Sequence, residues 1–132
     1  MSDRAALIAQ MYEHKSDLLF VTLEQYALAL DGWTLEPLYI GGDLAYVLIS
    51  KGPEFHYVSF ETGHRLPLKL FANRCMQLHR AFGYFETRTP KDDRRQQHFN
   101  ERVGMKRIGE DAYDFHYRLA DVPAHLARLA CQ

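Results

Sequence analysis

The sequence predicts an α/β chain of the α+β kind, in which a single mixed, mostly antiparallel sheet is flanked by helices. Two observations carry this prediction. Residues 33–61 contain three segments rich in β-branched and aromatic residues, separated by glycine-containing turns. From residue 67 onward the apolar residues instead recur every three or four positions, as on one face of a helix. We expect the order ααβββαβαββ with a short terminal helix, in one domain over residues 1–132.

Two helices are predicted to open the chain. Residues 3–15 place apolar side chains on one face and most of the charges on the other. The second helix begins at Thr22, which has the capping-box spacing to Gln25, and ends before Gly32.

Three strands are predicted next, as an antiparallel meander. They cover residues 33–40, 44–50 and 55–61. Gly41–Gly42 and Gly52–Pro53 supply the two turns between them. Pro37 has no N–H to donate to a neighbouring strand, so the first strand should lie near an edge or carry a bulge.

A long amphipathic helix follows the meander. Its apolar stripe consists of Leu68, Phe71, Cys75, Leu78 and Phe82. Pro67 suits the first turn of this helix and Gly83 suits its C-terminal cap.

The last third of the chain predicts a strand, a helix and a hairpin. The strand covers residues 84–89, and Thr89-Pro90 is predicted to open a helix that Gly104 closes. Two strands around Glu110-Asp111 and a short helix then end the chain.

Composition excludes several classes of protein. The net charge of −1 gives no general attraction to nucleic acid or to an acidic membrane. No apolar run approaches the roughly 18 residues of a membrane span, so we expect no membrane association and a cytoplasmic location. Cys75 and Cys131 are expected to be two unpaired thiols, and no histidine spacing predicts a metal site.

The segment His-Phe-Asn-Glu-Arg-Val-Gly-Met at 98–105, followed by the predicted hairpin, resembles the end of the GCN5-related N-acetyltransferases. Chains of that family typically read Phe-Tyr-Glu-Lys-Leu-Gly-Phe at this point. The resemblance implies an acyltransferase that moves an acetyl group from acetyl-CoA to a primary amine, with no metal. The chain also resembles small acetyltransferase-like proteins of bacteriophages, some of which are virion components. If a bacteriophage encodes the chain, the resemblance implies the virion rather than the cytoplasm as its location.

The resemblance implies a site for acetyl-CoA at the turn that leads into the long helix. Residues 61–69, Glu-Thr-Gly-His-Arg-Leu-Pro-Leu-Lys, stand where the family carries Arg/Gln-X-X-Gly-X-Gly/Ala. The cofactor-binding residues implied in this run are Gly63, His64, Arg65, Leu66, Leu68 and Lys69. A helix N-terminus with nearby cations can hold a phosphate, but only one of the family's glycines remains. The alternative is a loop that only starts a helix.

Three residues are candidates for catalysis. Glu61 and His56 lie on the third predicted strand, where either could deprotonate an amine directly or through water. Asn100 stands at the position of the family's tyrosine, which can protonate the leaving thiolate, whereas an asparagine has no titratable proton. The alternative for Glu61 is a surface carboxylate at a strand end, and the alternative for His56 is a partly buried, hydrogen-bonded histidine without a catalytic role.

Two other functions stay open at this point. A chain that kept the fold and lost the cofactor site would be a structural or interaction protein with partners in an assembly, such as a bacteriophage virion component. Between Arg74 and Arg107, nine Lys/Arg stand against four Asp/Glu, which is compatible with a nucleic-acid-binding module. The acidic residues interleaved among them favour a solvated helix face instead, so nucleic acid is not an expected partner.

Overall fold

Helices and strands follow one another in the predicted order. A computed structural model describes residues 3–14, 21–60 and 62–131, except for the side chain of Cys131. The elements are α1 (Asp3–His14), α2 (Leu23–Ala29), β1 (Thr34–Ile40), β2 (Asp43–Lys51), β3 (Glu54–Ser59), α3 (Leu68–Phe82), β4 (Phe85–Pro90), α4 (Arg94–Val103), β5 (Lys106–Glu110), β6 (Asp114–Leu119) and α5 (Ala124–Cys131). The strands form one six-stranded sheet in the order β1-β2-β3-β4-β6-β5. The predicted fold class is confirmed.

The chain divides into two compact units. The first contains residues 1–51 and 57–64, and the second contains residues 52–56 and 65–132. The expectation of one domain over residues 1–132 stays a prediction. None of the helices in the described ranges is long and apolar enough to cross a membrane.

The first unit is built on the hairpin of β1 and β2. Its antiparallel register runs from Thr34↔Ser50 to Ile40↔Asp43, with an irregularity between Leu38 and Tyr39. Gly41 and Gly42 join the strands with φ angles of 59° and 86°, which suit the mirror-image turn that hairpins prefer. β1 stands at one end of the strand order, so the edge position expected from Pro37 is confirmed.

Apolar side chains from α1 and the strands form the core of the first unit. They are Leu7, Met11, Val47, Ile49 and Val58. Thr22 caps α2 as predicted, because its side chain accepts the Gln25 N–H and the Gln25 side chain accepts the Thr22 N–H. Phe60 packs against this core and contacts the ring of His14.

The second unit is built on β4, β6 and β5. β4 pairs antiparallel with β6 from Phe85↔Leu119 to Pro90↔Asp114, and β5 pairs antiparallel with β6. Phe71 of α3 is buried between the rings of Phe55 and Phe99. Cys75, also on α3, is a free and fully buried thiol, as predicted. Burial raises its pKa well above the ordinary thiol value, so Cys75 stays protonated at neutral pH.

Three local predictions need correction. The ends of the α3 stripe, Leu68 and Phe82, are about half exposed, because only its middle turns pack against neighbouring elements. Pro67 is the N-cap of α3 rather than a residue of its first turn. Thr89-Pro90 does not open a helix, because Pro90 ends β4 and the Asp93 carboxylate caps α4 by accepting the Gln96 N–H.

Candidate active site

The candidate site lies where β3 meets β4 in the second unit. Among the described residues, the parallel backbone register between these strands is the single pair Glu54↔Glu86. The Glu86 N–H donates to the Pro53 carbonyl at 2.8 Å. Two residues further along β3, the link to β4 is made by side chains, because His56 hydrogen-bonds to Thr87.

Glu54 and Thr87 contact the two ring nitrogens of His56. Its Nε2 lies 2.7 Å from Glu54 Oε2, and its Nδ1 lies 3.3 Å from Thr87 Oγ1. The other Glu54 oxygen, Oε1, faces Arg88 Nε at 3.9 Å. The side chains of His56 and Glu54 are 28% and 27% exposed. The imidazole is therefore oriented and still accessible to a small molecule.

The alternation of a strand explains this arrangement. Residues i and i+2 of a strand project to the same face, which puts Glu54 beside His56. Phe55, between them, points the other way and is buried against Phe71. In the short sequence Glu-Phe-His, the buried Phe55 side chain therefore anchors β3, and Glu54 and His56 form a hydrogen-bonded pair on the other face.

The other candidates for catalysis lie elsewhere. Glu61 falls outside the described residues. Asn100 is only 2% exposed. Its Nδ2 donates to Thr89 Oγ1 at 2.7 Å, and its Oδ1 accepts from Gln96 Nε2 at 3.1 Å. In this position Asn100 ties α4 to β4, and the catalytic role implied by the resemblance stays a prediction.

The first part of the implied cofactor run belongs to the first unit. Gly63 has a φ of 84°. Nε2 of His64 lies 3.2 Å from Asp43 Oδ2. The backbone carbonyl of His64 accepts a hydrogen bond from the Tyr46 hydroxyl at 2.7 Å. These contacts fasten the His64 backbone and ring to β2. Their part in a phosphate site stays a prediction.

The second part of the run, which opens α3, belongs to the second unit. Pro67 caps the helix without a side-chain hydrogen bond, and no acidic residue stands in the first turn. Arg65 and Lys69 are exposed. The first-turn N–H groups, the helix dipole and the two cations together make this end of α3 electropositive. Such an end can bind an anionic group such as a phosphate.

Sequence reasoning missed two members of the site. Glu54 lies one residue before the strand predicted over residues 55–61, whereas β3 begins at Glu54 and so places it two residues before His56 on the same strand. Thr87 is 31 residues from His56, and only the parallel pairing of β3 with β4 brings it there. Within the described residues, no three His, Cys, Asp or Glu side chains are grouped so that they could hold a metal ion.

Comparison with solved structures shows the fold. The crystal structure of the N-acetyltransferase PseH from Campylobacter jejuni matches with a TM-score of 0.59 and 12% identity, over 90% of each chain. The structure of PseH in complex with acetyl coenzyme A matches with a TM-score of 0.54 and 10% identity, over 90% of this chain and 91% of that one. No protein-family model and no curated protein matches the sequence. The acetyltransferase fold implied by residues 98–105 is confirmed.

Proposed function

We propose that this protein is an N-acetyltransferase that moves the acetyl group of acetyl-CoA to a primary amine, with His56 as the general base. The observation that carries the proposal is the oriented and accessible imidazole of His56, held between Glu54 and Thr87. His56 lies on β3 two residues beyond the backbone pair Glu54↔Glu86, where a side-chain hydrogen bond links β3 to β4. The chain has an acetyltransferase fold. An accessible imidazole can accept the proton of an attacking amine.

The N-terminal end of α3 is the proposed site for the pyrophosphate of acetyl-CoA. Arg65 and Lys69 supply charge there, and the first-turn N–H groups supply donors that no side chain caps within the described structure. The similarity to a structure that holds acetyl coenzyme A supports this choice of co-substrate. Leu66 and Leu68 continue the same segment and would border the bound molecule.

The proposed reaction is a direct transfer within a ternary complex. The amine nitrogen attacks the thioester carbonyl, the new C–N bond forms and the C–S bond breaks. The imidazole of His56 takes the proton that the amine loses. The CoA thiolate leaves and is protonated by solvent, because an asparagine at position 100 has no titratable proton to give.

Acetyl-CoA should stabilise the protein against thermal unfolding. Ligand at about a hundred times its dissociation constant should add roughly 2.7 kcal/mol to the free energy of unfolding.

Arg65→Ala should weaken binding about tenfold, because a charge-assisted contact to a phosphate is lost. Titration of each variant, followed by thermal shift or calorimetry, measures both effects.

Arg80→Ala is the matched control for the binding experiment. Arg80 is an exposed arginine in the last turn of the same helix, where the helix dipole does not favour an anion. Its loss should leave the affinity for acetyl-CoA unchanged. Equal effects of the two substitutions would mean that binding depends on net charge rather than on the N-terminal end of α3.

His56→Gln should lower kcat for acetyl transfer about a hundredfold, because a glutamine cannot accept the proton. Release of the CoA thiol with a panel of primary amines measures the rate. His98→Gln, an exposed histidine on α4, is the control and should retain full activity. An unchanged rate in His56→Gln would mean that another residue is the general base, with Glu61 the first residue to test.

A wild-type protein that neither binds acetyl-CoA nor acetylates an amine would support the non-catalytic alternative.

A further inference from the structure

We infer that Glu54 is a positioning residue that fixes the tautomer of His56, so that Nδ1 rather than Nε2 accepts the proton of the amine. The inference deepens the proposed function and rests on it. It concerns a residue that touches neither the amine nor acetyl-CoA and acts through the imidazole.

The partners of the ring determine the tautomer. An ionised carboxylate can only accept hydrogen bonds, so the 2.7 Å contact with Glu54 Oε2 requires a proton on Nε2. A neutral imidazole carries one N–H, which leaves the lone pair on Nδ1. Thr87 completes the arrangement, because its hydroxyl can donate to that lone pair across 3.3 Å.

Two contacts hold Glu54 itself in place. Its backbone is in register with Glu86 of β4, and its second carboxylate oxygen faces Arg88 Nε at 3.9 Å. The carboxylate is thus fixed from its own strand and from the neighbouring one. Because Glu54 and His56 are both partly exposed, solvent screens their attraction. The main effect of the pair is therefore orientation rather than stability.

This arrangement predicts which ring nitrogen accepts the proton. The Nε2 side is covered by Glu54, so the proton of the amine must reach the ring at Nδ1, where the approaching amine displaces the Thr87 hydroxyl from the lone pair. As the proton moves to Nδ1, the imidazole becomes a cation whose Nε2–H still donates to the Glu54 carboxylate. A carboxylate in this position both orients the base and favours the charge that forms on it.

Ring ¹⁵N NMR of His56, at a pH where the imidazole is neutral, tests the tautomer without any need for activity. The wild-type spectrum should show a proton on Nε2 and a bare Nδ1. Glu54→Ala should return the ring to exchange between the two tautomers. Glu86→Ala is the matched control, because Glu86 is the register partner of Glu54 but pairs with Arg118, and it should leave the spectrum of His56 unchanged.

Kinetics test the consequence for the reaction. Glu54→Gln keeps the shape of the side chain but can donate to Nε2 as well as accept from it. It should lower kcat at least about tenfold and leave KM for acetyl-CoA unchanged, whereas Glu86→Gln should change neither. Thermal unfolding of each variant checks that the fold is intact.

The possible outcomes separate this inference from the proposed function. A proton on Nδ1 in the wild-type protein, or Glu54 variants with an unchanged spectrum and rate, would overturn the inference even if the enzyme is active. The expected tautomer in a protein that acetylates nothing would overturn the proposed function, and with it the assignment of Nδ1 as a base.

Discussion

Gly104→Ala is expected to lower the free energy of unfolding by roughly 3 kcal/mol, through two separate costs. Gly104 ends α4 with a φ of 107°, in the left-handed region where a side chain costs roughly 1–2 kcal/mol. A Cβ at this position would also lie 2.4 Å from Cγ of Pro123. Forcing an extra methyl group into a packed site typically costs a further 1–3 kcal/mol or so.

The Pro123 ring has little freedom to move away from that methyl group. Its Cδ and Cβ would also lie 3.3 and 3.7 Å from the new atom. Its carbonyl accepts the N–H groups of Leu126 and Ala127 and so forms the first turn of α5. A shift of the ring would therefore have to move the start of a helix.

Gly83→Ala separates the two costs. Gly83 ends α3 with a φ of 82°, and a Cβ there would meet nothing within 4 Å. This variant should lose only the conformational part, about 1 kcal/mol. Urea unfolding of both variants measures the difference. Equal losses would show that the contact with Pro123 is relieved at no cost.

Phe71→Ala is expected to lower the free energy of unfolding by roughly 3–5 kcal/mol. Phe71 is 6% exposed. Its ring centroid lies 5.6 Å from that of Phe55 and 5.4 Å from that of Phe99. Truncation therefore removes two aromatic contacts and leaves a cavity among α3, α4 and β3.

Phe82→Ala is the control for this prediction. Phe82 lies on the same helix and on the same predicted stripe, but it is 47% exposed. Its truncation leaves no enclosed cavity and should cost less than about 1 kcal/mol by chemical denaturation. A loss at Phe82 as large as that at Phe71 would mean that the exposed end of the stripe is covered in solution.

Local signals in the sequence predicted most of the element boundaries. Thr22 and Gln25 form the capping box that their spacing indicates, because such a cap involves only neighbouring residues. The same holds for Gly83 and Gly104, which end their helices with positive φ. Pro90 misled the prediction. A proline fits the first turn of a helix. Pro90 instead is the last residue of β4, where it pairs with Asp114 of β6.

The site depends on contacts that no local pattern encodes. His56 was a candidate from its place on a predicted strand, but its partner Thr87 comes from the parallel pairing of β3 with β4. Asn100 stands at a position where the family resemblance implies chemistry. The structure buries it against Thr89 and Gln96, because the inner face of α4 packs on β4.

The sequence by itself determined the order of the elements, their caps and turns, and the resemblance to an acetyltransferase, since these depend on residues within a few positions of one another. Only the tertiary structure decided which side chains meet. It placed Glu54, His56 and Thr87 together, left the ends of the α3 stripe exposed, and set Gly104 against Pro123. The physical reason is that strand pairing and helix packing join residues far apart in the chain, and burial and hydrogen bonding then assign each side chain its role.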